Sequence, residues 1–378
     1  MHLIVLENEV SSFRGGQERS LLDVCRGLYH RGHSISLLYI KEGDLLSQYN
    51  EFCSNLIQVS SYRIERRKII QSINNFLLNN IKLKTTTDSV VYSNQYHDSF
   101  FAYTLALSKN IPFVCHLRLP PPPLRTLGFQ WGIGMQGAKR LIAVSNQTKL
   151  DWINRGFKED KIDVVYNGVN PEIFIQNSDN ISTYKNKLGI NENTRIISYI
   201  GRLDKEKGLE TLIQGFALFL KSDTNAKLLI AGKPLCQDND YKKHLIKLTN
   251  DLGIEENVSF LGHVNNTISL YQISDCTILP SLHSEPFGRT IIESMACGTP
   301  VVASRTGGIT EILTLEFQDG LFEPGNVQDL VTTLNIMLKK KDLDPHLSDK
   351  CRKHILCNFH LDRMVDGVEK VLVKSLKN

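Results

Sequence analysis

What this sequence lacks narrows the field first. Its eight cysteines form no CxxC pair and stand at no metal-like spacing with histidine, so they are expected to be reduced core residues of a cytoplasmic protein and not a metal framework. No window approaches the roughly 20 apolar residues that span a bilayer; a chain like this one lies on a membrane at most. The opening run MHLIVLE is short, ends at Glu7, and has neither a basic stretch before it nor a cleavage site after it, which predicts a first strand and not a signal peptide. Charge of one sign is missing too: 44 Lys and Arg stand against 40 Asp and Glu, leaving no ground for a nucleic-acid partner. The spacing GxGxxG is absent after the first strand, which counts against hydride transfer.

What is present is an α/β chain of globular composition, 41% hydrophobic and 22% charged, whose 378 residues are too many for one compact core and suit two domains. After the first strand, SSFRGGQERSLLDVCRGLYHRGHSISLLYI reads as loop, helix and second strand. Gly15 and Gly16 stand at the helix start, and Leu21, Leu22, Cys25 and Leu28 recur at helical spacing. A βαβ unit of this kind opens a doubly wound sheet, with ligands gathered at the carboxyl ends of its strands. The stretch from Tyr62 to Lys84 has basic residues at its start and Ile69, Ile70, Ile73, Phe76, Leu77 and Ile81 at near-helical spacing. It is either an ordinary domain helix with a solvated charged end or, through Arg63–Lys84, a peripheral contact with anionic lipid headgroups.

FVCHLRLPPPP predicts a strand ending at His116, followed by a proline run that is neither helical nor sheet-paired. By itself His116 reads as a satisfied strand-end histidine. LIAVSNQTKLDWI gives another strand, with Ser145 capping the next helix. A polar linker over 176–194 holds a short helix near Tyr184–Leu188. A second strand-loop-helix unit then begins with RIISYIGRLDKEKGLETLIQGFALFLK, with Gly201 and Arg202 at the strand's carboxyl end. Arg202 and Lys207 flank its charged loop, and the plain alternative is that they pair with Glu206 or Glu210.

The chain is organised around HSEPFGRTIIESMACGTPVVAS, where Glu285 and Glu293 bracket a Pro-Phe-Gly turn. Glu285, preceding a proline, is pushed out of helical conformation, so a helix begins only after Phe287 and Gly288. The amides of Phe287, Gly288, Arg289 and Thr290 then offer an anion site. Glu293 sits within the first two turns, where an ionised carboxylate suits vicinal hydroxyls.

The ordered set of EPFG, a second Glu eight residues after Glu285, and ACGTPVVAS resembles the donor-site signature of the retaining glycosyltransferases of family 4. GRLDKEKG is similar to that family's GRLxxxKG string, and VVYNGVNPEIF looks like the motif that closes its first domain. The resemblance implies a GT-B fold of two Rossmann-like domains facing across a cleft. Residues 1–172 would form the acceptor domain, joined by a C-terminal helix near 360–378, and residues 173–359 the donor domain. It implies a metal-independent enzyme with no cofactor, moving a hexose from a UDP-sugar, UDP-glucose first, to a saccharide or lipid-linked saccharide in polysaccharide assembly. No DxD motif stands at a strand end; Arg202, Lys207 and the helix start would carry the diphosphate charge instead. Glu285 would bind sugar hydroxyls, Glu293 the ribose, and His116 the sugar from the first domain. The backbone near His263 and Val264 would read the base, and the amides of Gly15 and Gly16 would approach diphosphate or acceptor. Arg289 departs from the family's usual aliphatic residue and has the length to reach a phosphate. Two other classes stay open: a UDP-sugar epimerase on the same scaffold, and a silent sugar-nucleotide-binding scaffold.

Overall fold

The computed structural model describes residues 1–63, 83–123, 128–176, 181–234 and 240–377. Most of the basic stretch Arg63–Lys84 lies outside the described residues, and with it the expected membrane contact. Contacts divide the chain into Met1–Asn167 with Asp362–Asn378 (unit 1) and Gly168–Leu361 (unit 2). The division comes before Gly168 and not after Glu172, because Val169 bridges to His360 and ties this stretch to unit 2.

Unit 1 contains β1 (His2–Glu9), β2 (Ser34–Lys41), β3 (Asn55–Gln58), β4 (Ser89–Ser93), β5 (Phe113–Leu117), β6 (Arg140–Ala143) and β7 (Ile162–Val164). Runs such as LIVL, VVY and LIA are apolar without alternation, as strands covered on both faces must be. Among the described residues they form one parallel sheet in the order β3-β2-β1-β4-β5-β6-β7. Ser145 does cap the helix Asn146–Asn154, its side chain accepting from Thr148 N. The last helix, Leu361–Leu376, packs in this unit through Val365, Val368 and Leu372. Gly27 makes room for it, since a Cβ there would stand 2.5 Å from Val365 Cγ2. Arg31 pairs with Asp366 and Glu369, each at 2.7 Å.

Unit 2 repeats the plan with β8 (Arg195–Ile200), β9 (Ala226–Ala231), β10 (Val258–Gly262), β11 (Cys276–Leu279), β12 (Val301–Ser304) and β13 (Leu321–Phe322). Their order, β10-β9-β8-β11-β12-β13, is again parallel among the described residues. In each sheet the order reverses once, between β1 and β4 and between β8 and β11, and such switch points are where doubly wound sheets bind ligands. No helix among the described residues is long and apolar enough to cross a membrane.

Candidate functional site

Arg202 and Glu285 leave adjacent strand ends at the switch point of unit 2. Gly201 and Arg202 follow β8, and Ser281 and Glu285 follow β11. Between them, Asp204 caps the short turn Lys205–Lys207 by accepting from Glu206 N. Gly208 then bends the chain at φ +67°, where a Cβ would lie 2.1 Å from the Pro280 carbonyl oxygen. Leu282 N donates to Glu206 O at 2.9 Å. These contacts press the Lys207 loop onto the loop after β11, and Lys207 Nζ donates to Glu285 Oε2 at 2.5 Å. Ser281 Oγ donates to the same oxygen at 3.0 Å, so among the described residues Oε1 stays open for a ligand. The plain alternative for Lys207 does not hold: Glu210 accepts from Tyr241 Oη at 2.6 Å instead.

This pair is mostly buried, Lys207 20% and Glu285 16% exposed, so its geometry matters more than that of an exposed ion pair. Burial alone would raise the Glu285 pKa. Lys207, Ser281 and Arg202 together outweigh it and hold the carboxyl below its ordinary value. Glu285 is therefore an ionised hydrogen-bond acceptor at neutral pH and not a proton donor. Its backbone is fixed from the other side by the loop after β12. Gly307, at φ +55°, would carry a Cβ 2.1 Å from Glu285 O, and Gly308 N donates to that oxygen at 2.8 Å.

Gly288 caps the helix Arg289–Ala296. Phe287 turns its ring into the core against Phe359, with centroids 5.7 Å apart, so it can offer a ligand only its main chain. Thr290 Oγ1 donates to Ile200 O at 3.3 Å, pinning the helix start to the end of β8. Glu293 Oε1 accepts from Arg289 Nε at 2.6 Å, and its Oε2 accepts from Tyr271 Oη at 3.0 Å. Arg289, expected to reach toward a phosphate, is thus held along the helix on Glu293, the residue one turn ahead. Tyr271 remains a phenol, because burial and then the Glu293 charge push its pKa well above the ordinary value. Val264, just past β10, packs on the apolar cluster that contains Tyr271 and Cys297.

In unit 1, β5 runs one residue past His116, whose side chain is fully buried. Its Nδ1 lies 2.5 Å from Tyr92 Oη, and burial, then Arg118, lowers its pKa well below the ordinary value. The ring is neutral, and its strand is a central one, paired with β4 on one side and β6 on the other. The residue at the carboxyl end of β5 is Arg118, which donates from Nε to Asn94 Oδ1 at 2.5 Å and from Nη1 to Asn167 Oδ1 at 2.9 Å. Asn94 in turn donates to Glu7 Oε2 at 2.7 Å and to Gln17 O at 3.4 Å. That second bond reaches the start of the helix Gly16–His30, where Gly15 and Gly16 lie. Burial, then Glu18 and Asp98, push Glu7 up to about 8.

Sequence reasoning did not single out Ser281, Tyr271, Glu7, Asn94 or Arg118. Arg118 alone left a signal, a charged residue directly after an apolar strand. Among the described residues no group of three or more His, Cys, Asp or Glu is placed to hold a metal ion.

Residues 180–354 match the family described as glycosyl transferases group 1, and residues 14–173 match Glycosyltransferase Family 4. An uncharacterized glycosyltransferase of Methanocaldococcus jannaschii is 32% identical over 211 residues, 54% of this chain and 52% of that protein. The N-acetyl-alpha-D-glucosaminyl L-malate synthase of Bacillus anthracis is 28% identical over 57% of this chain and 55% of its own. The D-inositol 3-phosphate glycosyltransferase of Salinispora arenicola is 29% identical over 71% and 62%. The chain thus spans between about half and six-tenths of these curated relatives. Among solved structures, Anabaena HepE in complex with UDP-glucose superposes with a TM-score of 0.85 at 21% identity, covering 99% of this chain and 100% of that one. A glycosyltransferase of Rickettsia africae reaches 0.86 at 23% identity, covering 100% and 99%. The two family matches take in both units, each with the parallel sheet and single reversal described above, and the chain belongs to the glycosyltransferases of family 4, with the GT-B fold.

Proposed function

We propose that this protein is a metal-independent retaining glycosyltransferase that moves a hexose, glucose first, from a UDP-sugar to a saccharide or lipid-linked saccharide acceptor in polysaccharide assembly. The observation that carries the reading is the bond of Lys207 to Glu285 across the switch point of unit 2. Through it a cation and a carboxylate stand side by side, just before the glycine that caps a helix. HepE, solved with UDP and glucose as well as with UDP-glucose, supports the choice of donor. The D-inositol 3-phosphate glycosyltransferase and the N-acetyl-alpha-D-glucosaminyl L-malate synthase among the relatives support transfer to a hydroxyl acceptor.

In this reading the diphosphate lies at the start of the helix Arg289–Ala296, whose dipole favours anions. Arg202 and Lys207 take up the charge that grows on it as the glycosidic bond breaks; groups fixed in advance stabilise that charge without reorganising. Arg202 is suited to this, since its guanidinium is committed to no carboxylate among the described residues. Glu285 Oε1 accepts from sugar hydroxyls, and Glu293 accepts from the ribose. The acceptor hydroxyl attacks from the face that the diphosphate leaves and passes its proton to the departing phosphate oxygen, so no side chain serves as nucleophile. No step calls for a cofactor or a metal ion.

Lys207→Ala tests the reading. Transfer from UDP-glucose should fall by about a hundredfold or more while the chain stays folded at the assay temperature, measured by UDP release with a panel of saccharide acceptors; its melting temperature should drop, because Glu285 is left without its countercharge. Wild-type turnover in the variant sinks the proposal, and conversion of the donor in the absence of any acceptor points to an epimerase instead.

A further inference from the structure

Arg289 breaks a local rule. As the first residue of its helix it places a cation at the positive end of the dipole, and it stands four residues before Glu293, the less favourable order for an ion pair on a helix. Helix stability therefore does not account for it. Such departures from local preference collect at functional positions.

What the arginine does instead is visible at Glu293. Its Nε holds Oε1 at 2.6 Å, while Tyr271 Oη, from the helix Thr267–Ile273, holds Oε2 at 3.0 Å. Both charged side chains are nearly buried, Arg289 11% and Glu293 13% exposed. Tyr271 is itself fully buried. A carboxylate gripped at both oxygens is fixed in one rotamer, yet each oxygen keeps a further lone pair for a ligand hydroxyl. Fixing the rotamer in advance removes an ordering cost from binding.

We propose that Arg289, with Tyr271, is a positioning and specificity-determining residue: it clamps Glu293 so that the donor site discriminates a ribonucleotide from its deoxy counterpart. The proposal rests on the reading of Glu293 as the ribose-binding carboxylate. Arg289 need not touch the ribose.

The test titrates the full chain calorimetrically with UDP, GDP and ADP, then titrates the tightest binder against its 2′-deoxy and 3′-deoxy forms. Wild type should prefer the ribonucleotide by about tenfold or more, the factor that about 1.4 kcal/mol corresponds to. Glu293→Gln should abolish that preference. Arg289→Leu should lose most of it, mainly by weakening the ribonucleotide, and Tyr271→Phe should lose part. Arg289→Lys, which retains a cation without the guanidinium, should fall between and covers the case in which the leucine variant does not fold. Three results overturn the proposal and are distinct from one another. If Arg289→Leu weakens ribo and deoxy forms equally, the arginine serves the diphosphate and not the clamp. If Glu293→Gln keeps the preference, Glu293 does not read the ribose. If wild type binds none of the three nucleotides, the nucleotide-sugar reading falls, and the clamp with it.

Discussion

At the scale of single residues, Glu285 and Glu7 are buried carboxyls with opposite fates. Glu285 is surrounded by donors and stays charged; Glu7 has acids for neighbours and takes a proton. Because the Glu285 pKa is lowered in the fold, transfer should persist as pH falls through the ordinary carboxylate range and fail only below it. Glu285→Gln keeps the shape but removes the countercharge of Lys207. We expect its turnover to drop by about a hundredfold at neutral pH and its pH profile to lack the acid limb; an unchanged limb in the variant would assign it to another group. The sign reverses for Glu7. Its folded pKa of about 8 stands above the ordinary 4.5, so the native chain keeps a proton that the unfolded chain has released. The stability this contributes is full below the unfolded value and is lost as pH rises through about 8. Melting temperatures followed from about pH 6 to about pH 9 should fall more steeply in wild type than in Glu7→Gln, and parallel curves would contradict the assignment.

At the scale of elements, the site is made by loops that are pressed together, and glycine is what lets them meet. Gly208 sits at φ +67° with the Pro280 carbonyl where a side chain would be. Gly208→Ala should therefore cost about 1–3 kcal/mol from strain and clash. It should also displace Lys207, its neighbour in the chain, and so reduce transfer more than the stability loss explains. A thermal melt paired with a turnover measurement separates the two effects, and wild-type values in both would refute the packing argument. His116 and Arg118 make the complementary point. They lie two residues apart on β5 and at its end, on the same side of the strand by its period of two, yet one is buried against Tyr92 and the other bonds to Asn94 and Asn167 beyond the strand ends.

At the scale of the whole molecule, the last helix belongs to unit 1 although the chain reaches it only after unit 2 is complete. Its face of Met364, Val365, Val368, Val371 and Leu372 is buried, so unit 1 requires its contribution to close its core. Val368→Asp would bury a charge at a position with no exposure and should destabilise the protein by about 3 kcal/mol or more. Chemical denaturation measures this, and a midpoint equal to that of wild type would mean the helix is dispensable.

Much of the fold was legible because doubly wound sheets announce themselves locally: apolar runs of strand length alternate with amphipathic helices, and turns carry glycine and proline. The sequence by itself therefore determined the two βαβ series, the helix start at Gly288, the placing of Arg202 at a strand end and that of Glu285 in the turn before the helix. Only the tertiary structure decided which partners these residues take. The bond of Lys207 to Glu285 joins positions 78 apart in the chain and that of Tyr271 to Glu293 positions 22 apart, while His116 meets Tyr92, 24 positions earlier. Local periodicity records which face a residue occupies; it holds no record of what the fold later brings against that face.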